Sequence, residues 1–563
     1  MKYKSLYRLL LTVSVVIAFH GCSDFLDTKI DTNFTPDAVE TNRGTLWSFG
    51  NAMYSSVQSG FTSLDGNLFA AASDEAQQTP ESGYTYYFNR GIISPDNVGS
   101  ATNGIYNACY EGIRAANFFL DYAKDGEKLL ALNRDTVKDF INFERDLRNL
   151  NWFRAEAHVA RAYYYMELLK RFGGTPIVET TMDKDADPGR IPRASYNEVV
   201  EYIVKEIDTY KDGLQTNWKT HPDNVSKSDG RFELKSALAI KARTLLYAAS
   251  PLNNPNNDKS KWERAAKAAH DVIVAMNYTM STGRNYATYF QGNNASSNAE
   301  SIFLVRVGNA NTLETNNYPI ATPGGHSGVT PTEDLVSAYE YIGAVDPANP
   351  YNNRDPRLAA TVVTNGSRWN NRTIDQAPGG TDDMHLANTS KTGYYLKKFL
   401  VDNLNLVQGA QNYDVWIVFR YAEILLMYAE AMNQAYGPDT QPEGFTRTAR
   451  QALTEVRRSA SASLPAVTTT NPAEFLAAVK HERQVELAFE DHRYWDLLRW
   501  KDAETVLNRP VRGLEITKDV SGNFVYKTVN VAERTFHTKN YHLPFSRSEV
   551  INSNGNITQN EGY

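Results

Sequence analysis

One pattern comes back three times along this chain and narrows what it can fold into. Ala160-Arg161-Ala162 with Tyr165 resembles Ala242-Arg243-Thr244 with Tyr247, and Arg420-Tyr421-Ala422 with Leu425, Leu426 and Tyr428 is a looser third copy. Small residues at helical spacing let helices approach closely, and larger ones fill the next layer. Paired helices of this kind stack into a tetratricopeptide-like array. The spacing between copies is irregular, so insertions must interrupt that array. The expected fold is mainly α, a helix-pair superhelix with a large irregular, loop-rich subdomain.

The periodicity predicts helices over 38–58, 104–124, 135–172, 195–212, 233–249 and 260–276. The third is the strongest, and Gly173-Gly174 supplies its stop. Residues 60–100, rich in Gly, Ser, Asp and Tyr, read as a loop-like insertion. From 277 to 415 Asn, Gly, Thr, Pro and aromatics dominate, which predicts loops and short strands. Helical texture returns at 416–436, 444–459, 472–490 and 493–505, and 510–563 reads as irregular. The division that follows is 41–276, 277–415 and 416–563.

The amino terminus carries a second kind of information. Lys2, Lys4 and Arg8 precede an apolar run, Leu9 to Phe19, too short to span a bilayer. His20-Gly21-Cys22 and a polar, acidic stretch follow. This reads as a lipoprotein signal over 1–21, with Cys22 becoming the acylated first residue and 22–40 forming a tether. Such an anchor places the chain outside the cytoplasm on a membrane surface. The formal net charge of the 563 residues is -7. Losing three basic residues with the signal brings it to about -10, which argues against nucleic acid as a partner. Cys109 is then the only other cysteine. A Cys-based zinc site or a disulfide framework is excluded, and Cys109 is expected to be a small buried residue.

Catalytic and metal motifs fail at specific positions. His481-Glu482 opens like a zinc-protease helix, but Val485 stands where the second His is needed. Asp183, Asp185 and Asp187 alternate as in a calcium loop, yet Pro188 follows where glycine is wanted and Ala194 replaces the bidentate Glu. Gly325-His326-Ser327-Gly328 lacks the spacing of a nucleophile elbow. No cofactor is implied.

Aromatic side chains in polar company suit sugar recognition, because rings pack on C–H faces while amides, carboxylates and guanidinium groups bond the hydroxyl rim. Tyr84, Tyr86, Tyr87, Asn89 and Arg90 form the densest cluster, with Asp74 just upstream. Arg368 and Trp369, in an Asn-rich stretch, form a second, and Tyr318 and His326 are weaker candidates. Tyr is abundant, at 33 residues; it serves either binding surfaces or the packing between helices.

The run from Glu482 through Glu486, Glu490, Arg493, Tyr494, Trp495 and Asp496 to Trp500 resembles a hallmark of the SusD/RagB family. In that family's order come Cys22-Ser-Asp-Phe-Leu-Asp, Arg161-Ala-Tyr-Tyr-Tyr-Met-Glu-Leu-Leu-Lys-Arg-Phe-Gly-Gly-Thr-Pro, Asp355-Pro356-Arg357-Leu358, Arg420-Tyr-Ala-Glu-Ile-Leu-Leu-Met-Tyr-Ala-Glu-Ala and the closing Gln559-Asn560-Glu561-Gly562-Tyr563. The resemblance implies a non-catalytic surface lipoprotein of the outer membrane. It would bind an oligosaccharide and deliver it to a TonB-dependent, SusC-like barrel transporter. It also implies that the loop after the first helix contributes to the ligand face. Capture of peptides or another nutrient is the alternative on the same scaffold, and a surface glycoside hydrolase is the more distant one. The residues of 482–500 themselves read as scaffold. Val485, Leu487, Ala488 and Phe489 are core, and the charged residues are expected to pair across helical turns.

Overall fold

The computed structural model describes residues 43–182, 188–223 and 230–563. Cys22, its tether and Asp183, Asp185 and Asp187 lie outside the described residues.

Eight long or medium helices carry the scaffold: α1 (Arg43–Ala52), α3 (Ile105–Tyr122), α5 (Phe140–Phe172), α6 (Tyr196–Tyr210), α7 (Leu234–Ala249), α8 (Lys259–Met276), α10 (Tyr421–Tyr436) and α12 (Pro472–Glu486). Short α2 (Gly83–Asn89), α4 (Gly126–Ala131), α9 (Thr312–Asn317) and α13 (Arg493–Arg499), and the 12-residue α11 (Ala449–Ala460), lie between or after them. Each scaffold helix packs on the next: α1 on α3, α3 on α5, α5 on α6, α6 on α7, α7 on α8, α8 on α10 and α10 on α12. This is the expected helix-pair array. The three similar segments fall on α5, α7 and the start of α10, where Ala160, Ala162, Ala242 and Ala422 are almost fully buried. Their arginines are buried too. Arg161 bonds Glu206 on α6, and Arg243 bonds Glu423 on α10, so each tie reaches a later helix.

Local chemistry sets the helix ends. Ser195 and Glu198 form a reciprocal capping box on α6. Asn471 caps α12, with Pro472 at its first position. The helix α5 stops at Gly173, whose φ of +74° favours glycine. A Cβ on Gly174 would lie 2.0 Å from the Ala194 carbonyl oxygen, so that position admits only glycine. Several tyrosines tie the helices together: Tyr164 donates to the Met53 carbonyl at 2.6 Å, and Tyr54 donates to Glu156 at 2.6 Å.

The irregular region holds short two-stranded pairings. β1 (Ala76–Gln78) pairs with β3 (Val329–Pro331), β4 (Val362–Thr364) with β7 (Tyr394–Leu396), and β5 (Arg368–Trp369) with β6 (Arg372–Thr373), all antiparallel. The longer β2 (Ser301–Ala310) pairs with β8 (Asn412–Arg420).

Four expectations are corrected. The predicted helix over 416–436 is a strand to Arg420 and a helix from Tyr421, because Val415-Trp416-Ile417-Val418-Phe419 is a buried β-branched and aromatic run suited to a ladder. Residues 510–563 are not irregular throughout: β9 (Val511–Lys518) and β10 (Phe524–Ala532) form a hairpin. The helix expected over 472–490 ends at Glu486, where the chain turns through Phe489 and Asp491 at positive φ. The cluster from Tyr84 to Asn89 is helical rather than loop.

Most of the charged residues of 482–500 are buried, as scaffold requires, but most do not pair across turns of their own helices. Arg420 bonds Glu300 at 2.8 Å, Glu486 at 2.6 Å and Glu490 at 2.6 Å. Arg357 bonds Asp355, Glu482 and Glu486, and Lys398 bonds Glu490 at 2.7 Å. Only Asp496, gripped by Arg483 and Arg499, has its partners nearby in sequence. The cluster fastens the loop-rich region onto the C-terminal helices.

Candidate functional site

A cleft of about 340 Å³ opens between the 60–100 insertion and the 316–328 segment. Its near wall is a tight turn, Leu64-Asp65-Gly66-Asn67, closed by mutual backbone bonds of 3.0 and 2.9 Å between Leu64 and Asn67. Asp65 is spent on local structure. Its carboxylate accepts from the Tyr84 amide at 2.6 Å and the Ser100 hydroxyl at 3.0 Å, tying the turn to the start of α2. At Gly83 (φ +57°) a Cβ would sit 2.4 Å from that carboxylate, so the junction needs glycine.

The far wall belongs to the segment after β2. Asn316 on α9 donates to the Gly66 carbonyl at 3.2 Å, and the Gly328 amide bonds the Asn316 carbonyl at 2.6 Å. His326 is exposed, with its ring nitrogen 2.9 Å from the Thr315 carbonyl. Asn67, Gln78, Asn316, Asn388 and Ser82 line the space, with Pro80 and Ile320 among its apolar residues. Asp65 is the one carboxylate lining it among the described residues.

One helical turn beyond Ser82, Tyr86 is 42% exposed, with the Arg90 guanidinium 5.4 Å from its ring centre. Arg90 is held by Glu81 at 3.0 Å. Tyr84 and Tyr87 are half-buried and meet edge to face at 5.4 Å. Burial, and then the neighbouring Asp65 charge, push the Tyr84 hydroxyl above its ordinary pKa. Tyr84 also packs on Gly99, where any Cβ would strike its ring at 2.0 Å. Of the predicted site residues, Tyr84, Tyr86, Tyr87 and Asn89 are thus brought together on α2, with Arg90 at its carboxyl-terminal cap. Only Tyr86 offers an open ring face. Asn89 is buried, its amide bonding Ala71 and Glu81.

Two expectations are corrected here. Trp369 is 2% exposed. Asn370 and Asn371 at positive φ make a two-residue turn joining β5 to β6, which leaves Arg368 on the surface and turns Trp369 inward onto Tyr318 at 6.1 Å. Tyr318 is itself fully buried, its hydroxyl donating to the Val401 carbonyl. The pair supports the 318–328 segment from beneath. The Asp74 carboxylate is likewise committed to structure. Arg493 grips both its oxygens at 2.8 Å, locking the insertion to α13. Burial alone would raise the Asp74 carboxyl, but the guanidinium outweighs it and holds it below the ordinary range. Next to it, burial and the Asp74 charge push Glu75 up to about 8.

Sequence reasoning missed Asn67, Gln78, Asn316 and Asn388. They come from four separate segments and share no local pattern. Among the described residues no three His, Cys, Asp or Glu side chains gather as metal ligands, and no helix is long and apolar enough to cross a membrane.

Fold and cleft together define a class: an α-superhelix of stacked helix pairs whose inserted loops build a polar, aromatic-edged recess. The chain belongs to the SusD family, whose match spans residues 270–563. Residues 24–246 match a second family description, starch-binding associating with outer membrane. SusD-like protein P38 of Formosa agariphila is 26% identical over 386 residues, 64% of this chain and 69% of that protein. A SusD-like protein from Bacteroides fragilis superposes with a TM-score of 0.75 at 22% identity, covering 94% of this chain and 98% of its own. A SusD-like carbohydrate binding protein from the same organism gives 0.72 at 23% identity, with 92% and 99% covered.

Proposed function

We propose that this chain is a lipid-anchored, non-catalytic glycan-binding protein that captures oligosaccharides at the cell surface and passes them to a TonB-dependent outer-membrane barrel. The carrying observation is the cleft's chemistry. Asn67, Gln78, Asn316, Asn388 and Ser82 line a space of about 340 Å³, with the open Tyr86 ring one helical turn from its edge. Amides bond a hydroxyl rim in both directions, and a ring covers a sugar's C–H face. Hydrolysis of a glycoside wants two carboxyl groups flanking the bond. The cleft has only Asp65, already bonded to Tyr84 and Ser100. A family description of starch binding and a relative described as carbohydrate binding support the same reading. The cysteine at 22, after a short apolar run, supports the anchor.

The test is a glycan array followed by calorimetry on the best ligand. Tyr86→Ala and Asn316→Ala are each expected to weaken binding tenfold or more, about 1.4 kcal/mol, with unchanged melting temperature. Unaltered affinity in both removes this site. Steady release of reducing ends from the bound glycan removes the non-catalytic reading.

A further inference from the structure

The amino-terminal end of α5 is its least covered part: Phe143 and Leu147 still pack against the core, and Leu150 is the first fully buried residue, so the exposed tip is the turn that leads into the helix. The knob at its tip, residues 132–141, is built rigidly. Arg134 bonds Asp139 at 2.6 Å and Asp146 at 3.0 Å, and its guanidinium lies 5.6 Å from the Phe143 ring centre. The Asp135 carboxylate accepts from the Val137 and Lys138 amides. These inward bonds leave four apolar side chains outside: Leu132 at 41% exposure, Val137 at 84%, Phe140 at 54% and Ile141 at 82%. One exposed aliphatic residue is ordinary; four on one ordered tip mark a contact surface.

The amino terminus indicates what covers it. Helix α1 runs alongside α5 in the same direction: Trp47 stacks on Phe153 and Tyr54 reaches Glu156. Arg43, where the described chain begins, therefore lies at the end of the array from which the knob projects. Only the stretch from Cys22 to Arg43 separates that end from the anchor. As a coil it would span about 25 Å. An acyl chain on Cys22 would thus be tethered from the same end of the array that carries the knob.

We propose that this knob dips into the headgroup region of the bilayer that holds the Cys22 anchor, as a second, non-covalent membrane contact that limits how far the body swings on its tether. The proposal rests on the reading of Cys22 as the acylated residue. Between 124 and 148 six Asp and Glu offset six Lys and Arg. Binding would therefore come from apolar insertion and be indifferent to salt.

The experiment uses the mature chain with residues 1–22 replaced by a polyhistidine tag. It is held on phosphatidylcholine vesicles through a nickel-chelating lipid, so the outcome does not depend on acylation. A nitrobenzoxadiazole dye is attached at Ile141→Cys or, as control, at Val520→Cys in the β9–β10 turn. Cys109 stays unlabelled, because it is buried and its thiol is pushed up to about 12. Nitroxide lipids are expected to quench the dye at 141 at least threefold more than at 520. The excess should persist in high salt and vanish when Val137→Ser and Phe140→Ser are added. Equal quenching at both positions overturns the proposal. So does shielding of 141 only after the barrel transporter is added, which would give the knob to the barrel. Palmitate labelling of the native chain tests the anchor separately, and calorimetry with glycan tests the cleft, which these variants do not touch.

Discussion

Trp369 shows how far a single residue can mislead. Its Asn-rich company reads as a surface, yet Asn370 and Asn371 are there to turn the chain, and that turn drives the indole inward. Trp369→Ala should therefore cost about 3–5 kcal/mol of stability, read as a lowered melting temperature. A stable variant with weakened glycan binding would return Trp369 to the ligand face. Glu75 makes a pH prediction. The ordinary carboxyl value is 4.5, and burial raises Glu75 to about 8 in the folded protein. A raised value means the native state keeps the proton longer than the unfolded chain. This contribution to stability is fully present below 4.5 and is lost as pH rises through 8. Glu75→Gln keeps the neutral form. Its melting temperature should match wild type near pH 5 and exceed it by a few degrees at pH 8. Parallel melting curves across that range would refute the assignment.

At the scale of elements, the scaffold helices were legible because each carries its own stop signals and apolar periodicity. The predicted 195–212, 233–249 and 260–276 fall within two residues of α6, α7 and α8. The failures occur where a neighbour decides. Residues 412–420 become a strand because β2 lies beside them, and the helix after 472 stops because Glu486 and Glu490 must reach Arg420. The start of short α2 is placed by the Tyr84 amide bonding the Asp65 carboxylate, with Gly83 close against that carboxylate. Gly83→Ala should shift α2, exposing it to protease and weakening glycan binding several-fold. Unchanged proteolysis and affinity would show that the junction tolerates a side chain.

Across the whole molecule, one buried charge cluster joins the loop-rich region to the C-terminal helices. Removing its central cation leaves three buried carboxylates, Glu300, Glu486 and Glu490, with only Arg284, Arg357 and Lys398 to offset them, so Arg420→Met should cost about 3 kcal/mol and loosen the two parts together. Thermal unfolding with a wild-type midpoint would refute that. A neutral glycan offers no charge for Asp65 or any other group of the cleft to act on, so its affinity should stay constant between low and high salt; a steep salt dependence would point to a charged ligand. By itself the sequence determined the helix pairs, the buried role of 482–500 and the membership of a family, because periodicity, caps and contiguous motifs are local properties of a chain. Which tyrosine faces solvent, which asparagines share a wall and which acids meet Arg420 were decided only by the tertiary structure. Those partners lie tens to hundreds of residues apart, and no local spacing encodes a contact that exists only after the array has closed.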